Sequence, residues 1–241
     1  MKNRIGMVSL IPYLILGVCI NVNASPISKD MAAEVASYVA TMVIAGRGVV
    51  AKHQDLINDP SRGEKGFTPE YVEKEMLRNF KKMTGKDIKD LDPYVQKALQ
   101  EVLSAAKMSV KNNQPLINQK GKGFKKYIPA VFGREIGQIL RARNAITIKQ
   151  TTFKYRNPYN QPDSFEKKVL RMFEDPGYPM GKGYGSIEQG KFRYLKPIYI
   201  RRPCLQCHGE PKGAIDISGH KKEGYKLGQL RGAISVSFPV Q

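Results

Sequence analysis

Cys204-Leu205-Gln206-Cys207-His208, followed at once by Gly209, gathers two thiols and an imidazole in one short run. A C-x-x-C pair alone serves three chemistries: a redox disulfide, half of a zinc site, or attachment of a porphyrin. The adjacent histidine selects the third. Two thiols add across the vinyl groups of a haem as thioethers, and the imidazole ligates the iron from below. The two intervening residues set the sulfurs at the separation of the vinyls, and the turn that presents them also presents His208. A closed zinc site needs two further ligands, yet the only other histidines are His53 and His220 and there is no second Cys pair. As a thiol oxidoreductase the chain would lack the βαβ pattern expected before such a motif. A two-haem peroxidase needs a second C-x-x-C-H, and none is present.

The expected context of such a motif is an exported protein. Lys2 and Arg4 precede an apolar run from Ile5 to Ile20, and Val22-Asn23-Ala24 offers a cleavage site before Ser25, so residues 1–24 are expected to be a signal peptide. Cys19 falls within it, and both remaining cysteines then belong to the motif, which suits an oxidising compartment, here the periplasm. No second long apolar stretch is expected to span a membrane once the signal is removed. Removing Lys2 and Arg4 takes the formal charge from +19 to +17. Export argues against nucleic acid, and no basic block interleaves with aromatics as a nucleic-acid groove requires. The charge instead suits a solvated surface or an acidic partner.

The elements that must position the motif fall in two halves. Helical periodicity predicts helices over Met31–Asn58 with Asp30 as N-cap, Pro69–Met83 behind Thr68, Pro93–Asn112 and Pro129–Arg143. They read as a duplicated helix-loop-helix: Gln54, Leu56, Ile57, Asn58, Pro69 and Glu75 match Gln114, Leu116, Ile117, Asn118, Pro129 and Glu135 at a constant offset of 60. Lys65-Gly66-Phe67 pairs with Lys122-Gly123-Phe124 only by a three-residue slip. Beyond Arg143, strands are expected over Ala145–Tyr155, Lys191–Ile200 and Gly232–Val240, with a helix opened by Asp163 and Glu166 at capping-box spacing and a loop over 175–190. The fold class is α+β, with N-terminal helices packed on an antiparallel sheet.

An ordered series runs through this second half: Arg156-Asn157-Pro158-x-Asn160-x-Pro162-Asp163-x-x-Glu166, Arg193-x-x-x-Pro197, Cys204-Leu205-x-Cys207-His208-Gly209-x-Pro211, and Leu227-Gly228-x-x-Arg231-Gly232-Ala233-Ile234-Ser235-Val236. It resembles the PAS-like single c-type haem domain family, found as exported cyanobacterial and proteobacterial proteins and as periplasmic sensor domains of receptors. The resemblance is strong over about 114–241, and residues 31–90 look like an extension seen in some members. It implies a PAS-like antiparallel sheet, a domain boundary near residue 90 (25–90 extension, 91–241 haem domain), and one covalent haem c. Cys204 and Cys207 take the attachment role and His208 the proximal one. The distal ligand differs among members, a Cys or Met from a helix, or water, and the mature chain has no spare Cys.

His53, within the apolar stripe of the first helix, is the expected distal candidate. Met108 and an open position are its rivals, and His220 reads as solvated. Arg156 and Arg193 are expected either to pair with haem propionates or to brace their own corners. Together these expectations describe a periplasmic monohaem protein without turnover of its own. Its roles would be redox or small-gas sensing or one-electron transfer, with a redox partner or a membrane-bound signalling partner.

Overall fold

The computed structural model describes residues 27–143 and 146–240. The expected signal peptide with Cys19, and Ala145, lie outside the described residues. The fold is α+β. The helices are α1 (Lys29–Lys52), α2 (Gln54–Asn58), α3 (Pro69–Thr84), α4 (Pro93–Ile117), α5 (Pro129–Arg143), α6 (Ser164–Glu174) and α7 (Arg202–His208). The strands are β1 (Thr147–Thr151), β2 (Tyr184–Glu188), β3 (Lys191–Tyr199) and β4 (Leu230–Pro239), antiparallel in the order β1-β4-β3-β2.

Alternation along β3 and β4 divides the molecule into two layers of helix. Phe192, Tyr194, Ile234, Val236 and Phe238 face α1 and share a core with α3, α4 and α5. Leu195 and Ala233, one residue out of phase, face α6 through Phe165, Val169 and Leu170. α1 is the axis of the larger layer, with Val35, Val39, Met42, Val43 and Val50 all at most 2% exposed. α1 is long and apolar enough, by length and composition alone, to cross a membrane. Within the fold 67% of its most apolar window is buried by protein. The boundary expected near residue 90 falls between α3 and α4, and the helices on both sides of it share one core.

Three local predictions need correction. The helix expected over 31–58 is two helices, capped by Ser28, whose hydroxyl accepts the Met31 N–H, and broken at His53. His53 Nδ1 donates to the Val49 carbonyl at 2.7 Å, the acceptor its own backbone N–H uses in an unbroken helix, and that N–H turns to Val50 instead. The third helix runs on from Asn112 to Ile117. The expected 175–190 loop contains β2, joined to β3 by a two-residue hairpin in which Gln189 and Gly190 both have positive φ, 50° and 72°.

The duplication is a feature of the fold. Gln54 Nε2 donates to the Tyr127 carbonyl at 3.0 Å, and Gln114 Nε2 donates to the Phe67 carbonyl at 2.6 Å, so each repeat pins the loop of the other. Lys65-Gly66-Phe67 answers Lys125-Lys126-Tyr127 at the same offset, without the slip. Gly66 and Lys126 both have positive φ, 65° and 61°, and Lys65 and Lys125 are both buried with their ammonium groups on loop carbonyls.

α5 lies close against β1 because Gly137 has no side chain: a Cβ there would meet the Ile148 carbonyl oxygen at 2.4 Å, a backbone atom that cannot rotate away. Gly137→Ala is therefore expected to lower stability by about 1–3 kcal/mol, the usual cost of overpacking, measured by urea denaturation. An unchanged midpoint would show that α5 shifts freely on the sheet.

Candidate cofactor site

β3 delivers the chain to the motif. Ile200 and the loop before β4 exchange backbone hydrogen bonds, the Ile200 N–H to the Gln229 carbonyl at 2.8 Å and the Gly228 N–H to the Ile200 carbonyl at 2.9 Å. α7 then starts at Arg202 with Pro203 in its first turn, where a missing N–H costs nothing, and ends at His208. Gly209 permits a tight exit, since a Cβ there would meet the Leu205 carbonyl at 2.6 Å. Cys204 and Cys207 are unpaired thiols, both partly exposed. The two sulfurs and the imidazole thus share one short helix.

The polar, glycine-rich segment 209–228 folds back under this helix. The Tyr225 N–H donates to the His208 carbonyl at 2.8 Å, and the Tyr225 ring stands edge-on to the imidazole with centroids 6.5 Å apart. Glu223 Oε2 lies 2.8 Å from His208 Nδ1. Burial opposes the charge of Glu223, but Arg156 and His208 outweigh it and hold its carboxyl below the usual range. An ionised carboxylate only accepts, so Nδ1 carries the proton and the Nε2 lone pair is free to bind a metal. Burial and the nearby Arg231 push the His208 pKa down, favouring the neutral ring that a metal requires.

Arg156 locks this arrangement. Its Nε and Nη2 donate to the two oxygens of Glu223 at 2.7 and 2.9 Å, Nη1 to Asp216 Oδ2 at 2.6 Å, and Nη2 also to the Cys207 carbonyl at 2.7 Å. Asp216 Oδ1 accepts from the Ser218 hydroxyl and from the Ser218 and His220 backbone N–H groups. Burial works against the Asp216 charge, yet Ser218, Arg156 and these N–H groups hold the carboxyl well below the usual range. Of the two roles expected for Arg156, the geometry shows the brace: its guanidinium is engaged by carboxylates of the protein itself. Arg193 is engaged likewise, with Nη2 on Asp163 Oδ2 at 2.6 Å and the guanidinium 4.5 Å from the centroid of Phe165. It ties β3 to α6, whose capping box of Asp163 and Glu166 forms as the spacing predicts.

His53 finds its partners among the helices. Its Nδ1 bonds to Val49, its Nε2 lies 2.8 Å from the Tyr71 hydroxyl, and Phe67 and Tyr71 flank the ring on the α3 side. With a carbonyl at one nitrogen and a hydroxyl at the other, it is a satisfied histidine at a helix break, and neither ring nitrogen is left free for the distal role expected of it. Met108 faces outward beside Arg143, and His220 is exposed beside Ser218.

Four residues that sequence reasoning missed surround the motif: Glu223, Asp216, Arg231 and Arg47. Glu223 and Asp216 follow His208 in a loop with no fixed spacing. Arg47 carried a readable signal, as the lone charge between Glu34 and Lys52 in an apolar helix. Tyr225 and Arg231 also line an open groove of about 460 Å³, together with Lys154, Phe173, Tyr178 and Tyr199. Among the described residues no three His, Cys, Asp or Glu side chains converge to hold a metal ion by themselves.

No curated protein matches the chain. Among solved structures it is similar to the crystal structure of the cyanobacterial heme-protein Tll0287, at 21% identity over 62% of this chain and 97% of that one, with a TM-score of 0.44. The model of the Tll0287-like family matches residues 26–239, a range that includes the helices before residue 91. By that match, which runs from before α1 to the end of β4, the chain belongs to the Tll0287-like family.

Proposed function

We propose that this chain is an exported, single-haem c-type protein, with Cys204 and Cys207 as thioether donors and His208 Nε2 as the axial ligand. The carrying observation is the chain of contacts behind His208: Nδ1 on Glu223 and Glu223 on Arg156. Metal-ligating histidines are commonly oriented by a carboxylate in this way, which fixes the tautomer and raises the basicity of the ligating nitrogen. Family membership points the same way, because the family's namesake is described as a heme-protein. Bound there, haem supplies one iron that passes an electron, reports redox state or takes a small gas. The protein holds the imidazole neutral and aimed, and supplies the fixed negative charge behind it.

The role is redox or gas sensing or one-electron transfer, without turnover. Both carboxylates near the motif are ionised and committed to Arg156, so neither is poised as a general acid or base. The competing thiol oxidoreductase is disfavoured by Cys207: burial, then the Asp216 charge, push its pKa up, whereas an attacking thiol needs it down. The periplasm is the proposed location, through the signal at 1–24. A charge of +17 on the mature chain suits an acidic redox or signalling partner.

The test is to express the full chain with a cytochrome c maturation system, denature it and extract it with acidified organic solvent. The polypeptide is expected to keep its Soret band and to gain the mass of one haem. A colourless polypeptide of unmodified mass overturns the proposal.

A further inference from the structure

Arg47 leaves α1 beside α5, its Cδ 3.4 Å from where a Cβ on Gly133 would stand, so the glycine leaves room for the arginine to pass. Its Nη1 is buried and meets no acceptor among the described residues. α1 packs against α7, the helix that carries Cys204, and the charges of Arg231 and Arg201 oppose that of Arg47. Burial first, then the two arginines, pull its pKa down to about 10, still protonated at neutral pH. Arg231 reaches a carboxylate only at 3.9 Å, and that carboxylate, Glu223, is already shared by Arg156 and His208. Positive charge around Arg47 is therefore not balanced by a carboxylate of its own. Arg47 is partly buried, and a guanidinium with an N–H held out of water and unpaired is stabilised when a counter-ion joins it.

We propose that Arg47 is an anion-binding group of the cofactor space beside Cys204, taking an oxyanion there. This inference rests on the haem attachment proposed above. The planar fork of a guanidinium matches two oxygens of one carboxylate or oxyanion. Two sources share that chemistry: a carboxylate of the haem itself, and a small free oxyanion entering the site.

The haem-loaded protein, its Arg47→Met variant and its Arg47→Lys variant separate them. Folding is checked by circular dichroism and attachment by the Soret band after denaturation. Midpoint potential is followed against pH, and the Soret band is titrated with sodium nitrite. If the haem carboxylate is the partner, Arg47→Met gains a pH-dependent step in potential between about pH 5 and 8 that the parent lacks, as the carboxylate loses the cation that kept it ionised. If a free oxyanion is the partner, nitrite shifts the parent Soret band and binds about tenfold or more weakly to Arg47→Met, the loss expected for one charged hydrogen bond. Arg47→Lys retains part of that affinity, having the charge without the fork. A variant matching the parent in both measurements overturns the proposal. Because attachment is read on the same samples, that failure is distinct from a colourless polypeptide, which would overturn both readings.

Discussion

Replacing Arg156 with Met is expected to destabilise the protein by about 3–5 kcal/mol, the usual cost of removing one member of a buried ion pair. The three side chains are only 18% (Arg156), 0% (Asp216) and 13% (Glu223) exposed, so solvent screening does little to soften the loss. The Arg156 charge also holds the Cys207 carbonyl and, through Glu223, the imidazole. Lysine is expected to restore little, because a point charge cannot serve acceptors spread over four residues. The effect has a pH signature. The carboxyl groups of Asp216 and Glu223 are depressed in the folded state, so their contribution is fully present above the unfolded carboxylate pKa of about 4 and is lost as pH falls through the folded values. Without Arg156 the carboxylates titrate higher, and protonation relieves their burial. The gap between parent and variant should then narrow below about pH 4. Urea denaturation at neutral pH and at pH about 3 reads both quantities. A gap that stays constant with pH would mean that Arg156 stabilises by packing of its aliphatic stem rather than by charge.

The parts of this architecture that repeat locally were legible in the sequence, and the parts made by long-range encounters were not. The capping box of Asp163 and Glu166 and the Thr68-Pro69 helix start are short-range chemistry, and each forms where its spacing put it. The offset of 60 residues was visible because Gln54 and Gln114 do the same work on opposite loops. Its exact alignment was obscured because Lys126 occupies a positive-φ position where Gly66 stands in the first copy. β2 was hidden for a related reason: Gln189 takes the left-handed position that Asn or Asp would advertise. At the site, Cys204, Cys207 and His208 lie within five residues, so their spacing alone points to a chemistry. Glu223 and Arg156 come from loops 67 residues apart, and only the fold brings them to 2.7 Å. For Arg156 the sequence leaves two roles open, propionate partner or brace, and only the fold brings up the two internal carboxylates that decide for the brace. At His53 an apolar stripe says that a histidine is partly buried without saying which partners it meets, here the Val49 carbonyl and the Tyr71 hydroxyl.

Glu223→Gln is expected to raise the midpoint potential of the haem-loaded protein by about 60–120 mV. Removing a carboxylate behind a ligating histidine typically costs 10–100-fold in metal affinity. The negative charge favours the more positive ferric iron, so the loss falls chiefly on that state, and each factor of ten is about 59 mV for one electron. Glutamine keeps an oxygen for the Nδ1 proton, so the imidazole stays aimed and the charge alone is removed. Protonating the natural carboxylate does the same thing chemically. The parent curve of potential against pH should therefore rise toward that of Glu223→Gln as pH falls through the depressed folded pKa of Glu223, while the variant shows no such step. Arg156→Met, where it remains folded, moves the potential the other way. It removes a positive charge and leaves Glu223 a stronger acceptor for the Nδ1 proton, both of which favour ferric iron. Opposite signs for the two variants, measured by spectroelectrochemistry, would show that the contacts behind His208 tune the iron as well as hold the loop. Equal signs, or a Glu223→Gln protein with an unchanged potential, would reduce Glu223 to scaffolding.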